Sequence, residues 1–282
     1  MAEENQISYP NIKQSWGIVG IAILIMLGFS PVKVLLDPIT GEEASFLIYY
    51  LSSMGFTFSI AHSNRKKWMS ASDYNFDLST GKIMVLVSVA IVGLQIGIIS
   101  PIVSAIPMPE FMEKVFLQFA ERNGVFSFIA IVIAAPILEE LIFRGVILDG
   151  LLKKYSPLKA IIISSILFGV IHLNPWQFIS ALIIGVFSGW VYYETKKLTL
   201  SILIHAVNNL LAFGAMYFTD AEASMNKSLS EHYGGYLNMI MITVGATGVA
   251  AVCLYLLMLE FKTSYGSSTE NSGYAEDDKI ME

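Results

Sequence analysis

Long apolar runs separated by short clusters of charge dominate this chain of 282 residues. They cover 16–36, 43–62, 83–106, 124–148, 157–174, 176–193, 199–218 and 237–259. A hydrocarbon layer takes about 20 residues of helix to cross. The runs therefore predict an all-α polytopic transmembrane helix bundle of about eight spans, enclosing a buried polar cavity. Gly, Pro and Ser interrupt several runs, and the count falls to seven if 157–193 is partly re-entrant. Residues 1–15 read as an N-terminal segment, 16–260 as the transmembrane domain, and 261–282 as a disordered acidic tail ending EDDKIME. Between them, 107–123 sets Phe111, Val115, Phe116 and Phe119 among charges at helical spacing. That pattern fits an amphipathic helix at the outer interface or a linker packed on the bundle.

Composition agrees: 55% hydrophobic, 14% charged, against roughly 25% charged in a soluble domain. Twelve of the 17 basic residues, among them Arg65, Lys66, Lys67, Lys153 and Lys154, fall on the side of the N-terminus. Four, Lys33, Lys114, Arg122 and Lys227, fall on the other. The positive-inside rule then puts both termini in the cytoplasm of a multi-pass cell-membrane protein. No short apolar stretch with a small-residue cleavage site opens the chain, so the first span is expected to stay as an anchor. The single cysteine, Cys253, permits no intramolecular disulfide or Cys-pair metal site. It reads as a packing residue. A net charge of −6 without a basic face argues against nucleic acid.

Within the fourth run, ILEELIFRGV places Glu139, Glu140 and Arg144 where water is scarce. Each costs roughly 2.5–3.5 kcal/mol at the centre of a membrane helix, so all three must face the bundle interior. Glu140 and Arg144 are i,i+4 and can pair on one face. Glu139 is turned about 100° away and has no partner on its own helix. One carboxylate is thus held ionised and the other is left for chemistry or for a partner from another helix. Pro136, three residues earlier, is expected to kink the helix and open space beside them.

Two further runs carry polar groups. In FGVIHLNPW, His172 follows Phe168 by four residues on one predicted helix face; in HAVNN, His205 and Asn209 are again i,i+4. Glu139 is about 15 Å from the cytoplasmic end of its span and His205 about 10 Å. His172 is the poorest fit, at about 16–24 Å. His62 and His232 read as ordinary exposed residues. Two glutamates, two histidines and an asparagine suit hydrolysis by an activated water. A carboxylate and an imidazole take the proton, and a His N–H and an Asn amide serve the oxyanion. A zinc ion held by His172, His205 and a glutamate is the alternative. The HExxH pattern is absent, which favours a site with no metal and no cofactor.

EELIFR, FGVIH and HAVNN, in this order, resemble the intramembrane glutamic endopeptidases of the CAAX-processing and bacteriocin-processing group, also called CPBP or Abi. That group includes the Ras-converting prenyl-protein proteases. The resemblance covers a core of about 124–215. It implies Glu139 as catalytic base, His172 as its helper, and His205 with Asn209 as the oxyanion hole. It also implies Glu140, Arg144 and Phe168 as groups that orient Glu139. The expected partners are the lipid bilayer and a membrane-anchored, prenylated or leader-type peptide substrate. A non-enzymatic immunity or regulatory protein that binds a membrane partner is the competing reading. A proton-coupled carrier fits less well, because no inverted repeats or broken-helix pairs are visible.

Overall fold

The computed structural model describes residues 8–69, 73–218, 223 and 227–277. Among them the regular structure is entirely helical. α1 (Ile12–Thr40) and α2 (Glu42–Trp68) form a hairpin that turns at Gly41, whose φ of 83° suits a residue without Cβ. A loop leads to α3 (Gly81–Ser104), and a short helix, α4 (Glu110–Ala120), precedes α5 (Val125–Leu152). α6 (Pro157–Val170), α7 (Pro175–Thr195) and α8 (Leu198–Phe218) follow. α9 is the single turn Leu229–His232, and α10 runs over Tyr236–Asp277. Most of the tail expected to be disordered lies within α10; its last residues, 278–282, are outside the described residues, as are 1–7 of the N-terminal segment.

Seven of these helices are long and apolar enough to cross a membrane, rather than eight. The exception is α6, whose 14 residues reach about 21 Å against a hydrocarbon core of about 30 Å. The chain leaves α6 early for local reasons. Leu173 takes a left-handed φ of 57°, the Asn174 side chain caps α7 by accepting from Gln177 N–H, and Pro175 starts that helix. α6 and α7 then lie against each other. They approach so closely that a Cβ on Gly185 would stand 2.9 Å from Ser165 Cβ. The bundle is thus a polytopic membrane fold, with one short helix folded back inside it.

α5 is the hub, packed on by α2, α6, α7 and α8. All eight residues from Leu141 to Leu148 are buried, as a helix apolar on every side should be. Two stretches of α5, Ile129–Ala134 and Leu141–Leu148, wind with i→i+5 hydrogen bonds. Such wide turns free carbonyls that must find other donors, and neighbouring helices supply them. Ser164 Oγ donates to Phe143 O (3.1 Å), and Arg65 Nη1 donates to Gly145 O (2.5 Å).

Of the buried residues of α2, Ser53, Thr57, Ala61 and Arg65 recur every four positions, with Met54 beside them, so one stripe faces α5. At its C-terminal end Arg65 is 4% exposed, ion-pairs with Asp149 (3.0 Å) and lies over the Tyr74 ring. His62, read above as exposed, is half-buried. It stacks on Phe58 and hydrogen-bonds Tyr74 (2.8 Å). Burial of the Tyr74 phenol pushes its pKa up, partly offset by Arg65. α4 combines both expectations for its segment: Phe116 and Phe119 pack on Trp176 and Phe46, while Phe111 and Val115 face outward.

Candidate active site

Glu139 and Glu140 end the ordinary α-helical stretch of α5 between its two wide turns. Both are buried, at 8% and 0% exposure, but their surroundings differ sharply. Glu140 is saturated. Its Oε1 accepts from Arg144 Nη1 (3.0 Å) and His205 Nδ1 (3.0 Å), and its Oε2 accepts from Ser188 Oγ (3.2 Å). Arg144 in turn lies 4.6 Å over the Phe168 ring, with Nη2 3.4 Å from Gly185 O. The i,i+4 pair read from sequence is therefore present and extended by α7 and α8.

Glu139 has one direct partner. Tyr50, from the α2 stripe, donates its hydroxyl to Oε1 at 2.5 Å. Among the described residues Oε2 is buried with no hydrogen-bond partner, and it stands 4.0 Å from His205 Nε2. A buried carboxylate oxygen left open in this way is rare and points to a job outside packing.

His205 spans the two glutamates. A carboxylate can only accept, so the Nδ1 facing Glu140 carries a proton and Nε2 faces Glu139. One turn along α8, Asn209 Nδ2 donates to Ile131 O at 2.9 Å. The reason lies in Pro136: an i→i+5 bond would pair Ile131 O with residue 136, and proline has no N–H to give. Asn208 donates to Asn209 Oδ1 (3.4 Å), and its own Oδ1 is buried without a partner among the described residues.

His172 sits differently from its expected place. It lies in the α6–α7 turn, not on the helix face shared with Phe168, because α6 stops at Val170. Its Nδ1 is 2.9 Å from Phe168 O. That carbonyl accepts, so Nδ1 carries the proton and Nε2 of the neutral ring is the lone-pair nitrogen. The imidazole thereby also caps α6. Its described link to the other groups is the Phe168 ring, which meets His172 and His205 edge-on at 5.4 Å each and Phe143 at 5.0 Å.

Phe168 is 1% exposed. Phe168→Ala should cost about 3–5 kcal/mol of stability and release both imidazoles. A fall in melting temperature in detergent, partly restored by Phe168→Leu, checks this. Sequence reasoning missed Tyr50, Ser188 and the Gly185 carbonyl. The only signal for Tyr50 was a pair of tyrosines inside an apolar run. Among the described residues no three His, Cys, Asp or Glu side chains converge as a metal set would.

Residues 121–211 match the family model described as Type II CAAX prenyl endopeptidase Rce1-like. That segment holds every candidate residue named from the sequence. The chain is also 34% identical over 77 residues to "Putative membrane peptidase YdiL" of Bacillus subtilis (strain 168). The match takes in 27% of this chain and 32% of that protein, so it spans about a third of the relative's length. No solved structure matches. The family match bears out the resemblance carried by EELIFR, FGVIH and HAVNN, and the relative adds a likeness to a membrane peptidase: over residues 121–211, this multi-pass membrane protein is similar to the CAAX prenyl endopeptidases.

Proposed function

We propose that the protein is an intramembrane endopeptidase that cuts membrane-anchored substrates, of prenylated CAAX type or leader type, by direct attack of water. The observation that carries this reading is the inequality of the two glutamates. Glu140 is held by Arg144, Ser188 and His205, whereas Glu139 Oε2 is left open toward His205 Nε2 across 4.0 Å. A water 2.8 Å from both atoms fits that gap by ordinary hydrogen-bond geometry.

In this reading the water oxygen attacks the peptide carbonyl carbon, and its proton passes to Glu139 Oε2. His172, with Nε2 as acceptor, helps to orient the water. The oxyanion is met by Asn209 Nδ2–H and by Nε2–H of a protonated His205, whose Nδ1–H stays on Glu140. Collapse breaks the C–N bond, and Glu139 returns the proton to the leaving amine. Twelve basic residues on one side support cytoplasmic termini in this reading.

The test is cleavage of a fluorogenic prenylated CAAX peptide and of a panel of membrane-anchored peptides by purified protein in liposomes. Cleavage lost in Glu139→Gln but kept with a strong chelator supports the reading. Wild-type cleavage lost with chelator would assign a metal role to His172, His205 and a glutamate instead. No cleavage of any peptide, together with specific capture of a membrane protein, would favour the immunity or regulatory reading.

A further inference from the structure

Tyr50 belongs to α2, far outside the matched segment 121–211, yet it makes the one direct hydrogen bond to Glu139. We infer that Tyr50 is a positioning residue for the hydrolysis proposed above: by occupying Oε1 of Glu139, it fixes which carboxylate oxygen is presented to the water. The inference rests on that proposed reaction.

A free carboxylate can present either oxygen and turn about its last torsion, which is broad and roughly two-fold. With Tyr50 on Oε1 at 2.5 Å, only Oε2 is open, and it is the oxygen that faces His205 Nε2. The arrangement is held from both sides. Ser53, Met54, Thr57 and Arg65 seat the same face of α2 on the bundle below Tyr50, and Arg65 ties it to the Gly145 carbonyl of α5. The adjacent Tyr49 has an unrelated task, donating to Met26 O of α1 at 3.1 Å. Two neighbouring phenols thus make comparable bonds, only one of which reaches the carboxylate.

The other titratable or charged groups around Glu139 are Glu140 and Arg144 on its own helix and His205 on α8, with His172 behind the Phe168 ring. None of these changes in Tyr50→Phe, which removes one oxygen atom and keeps the ring.

The experiment compares wild type, Tyr50→Phe, Tyr49→Phe and Glu139→Gln on whichever peptide the wild type cleaves, across pH. A hydrogen bond to a charged group translates into a fall in kcat of about 10- to 100-fold for Tyr50→Phe, with KM within about twofold. Tyr49→Phe should match wild type in kcat and KM. If Tyr50→Phe behaves as wild type while Glu139→Gln is inactive, the inference fails and the proposed reaction stands. Equal losses in both tyrosine variants would make Tyr50 a mere helix contact, also overturning it. Activity retained in Glu139→Gln would remove the underlying reaction, and Tyr50's role with it.

Discussion

Glu139→Gln is expected to lower kcat by roughly 10²- to 10⁴-fold while leaving the fold nearly untouched. Glutamine keeps the shape and can still accept from Tyr50 through its amide oxygen. In place of Oε2 it presents an NH₂ group that cannot take a proton from water. Because Oε2 has no hydrogen-bond partner among the described residues, the substitution breaks no hydrogen bond. It also removes a charge from a nearly dry site. Cleavage rate and melting temperature measured on one preparation separate the two effects. A rate within about tenfold of wild type, below the usual worth of general base catalysis, would sink the assignment of Glu139 as the base.

The second large effect is on stability. Arg144→Met should cost about 3–5 kcal/mol, the usual consequence of taking one partner from a buried ion pair. Arg144 and Glu140 are 1% and 0% exposed, so water cannot replace what is lost. Glu140 would keep Ser188 and His205, but neither carries the fixed charge that guanidinium does. The same variant removes the cation over Phe168. Adding Glu140→Gln to Arg144→Met should recover much of the loss, since removing both charges of a buried pair is often close to neutral. Thermal denaturation of wild type, the two single variants and the double variant tests this. If Arg144→Met melts like wild type, the pair is not what holds Glu140 in place.

The two glutamates show how much of the site could be read from the sequence. Charges inside an apolar run must turn inward, and an i,i+4 spacing puts Arg144 on Glu140; both steps follow from helix geometry alone. The inward-facing His205 and Asn209 followed in the same way. Tyr50 did not, because 89 positions separate it from Glu139 and only tertiary packing of the α2 stripe brings them together. His172 was placed on the α6 face because Pro175 marked the helix end. The Asn174 cap and the left-handed Leu173 stop α6 earlier, which also made one expected span too short. Apolar periodicity could not reveal the wide turns of α5, since a helix buried on every side has no polar face to show a change of winding. Without them, the task of Asn209 at Ile131 O stays hidden.

Those wide turns have a consequence for counting. A stretch wound with i→i+5 bonds takes up one residue more than ordinary winding over the same rise. Wound as plain α-helix with every residue kept, 129–134 would turn everything beyond it by about 100° relative to Phe128. That is also the angle between successive residues, so Glu139 would arrive where Glu140 now points, with Arg144 rotated alongside it. Two chemically identical side chains are told apart here by phase, and the phase is stored as a single extra residue upstream.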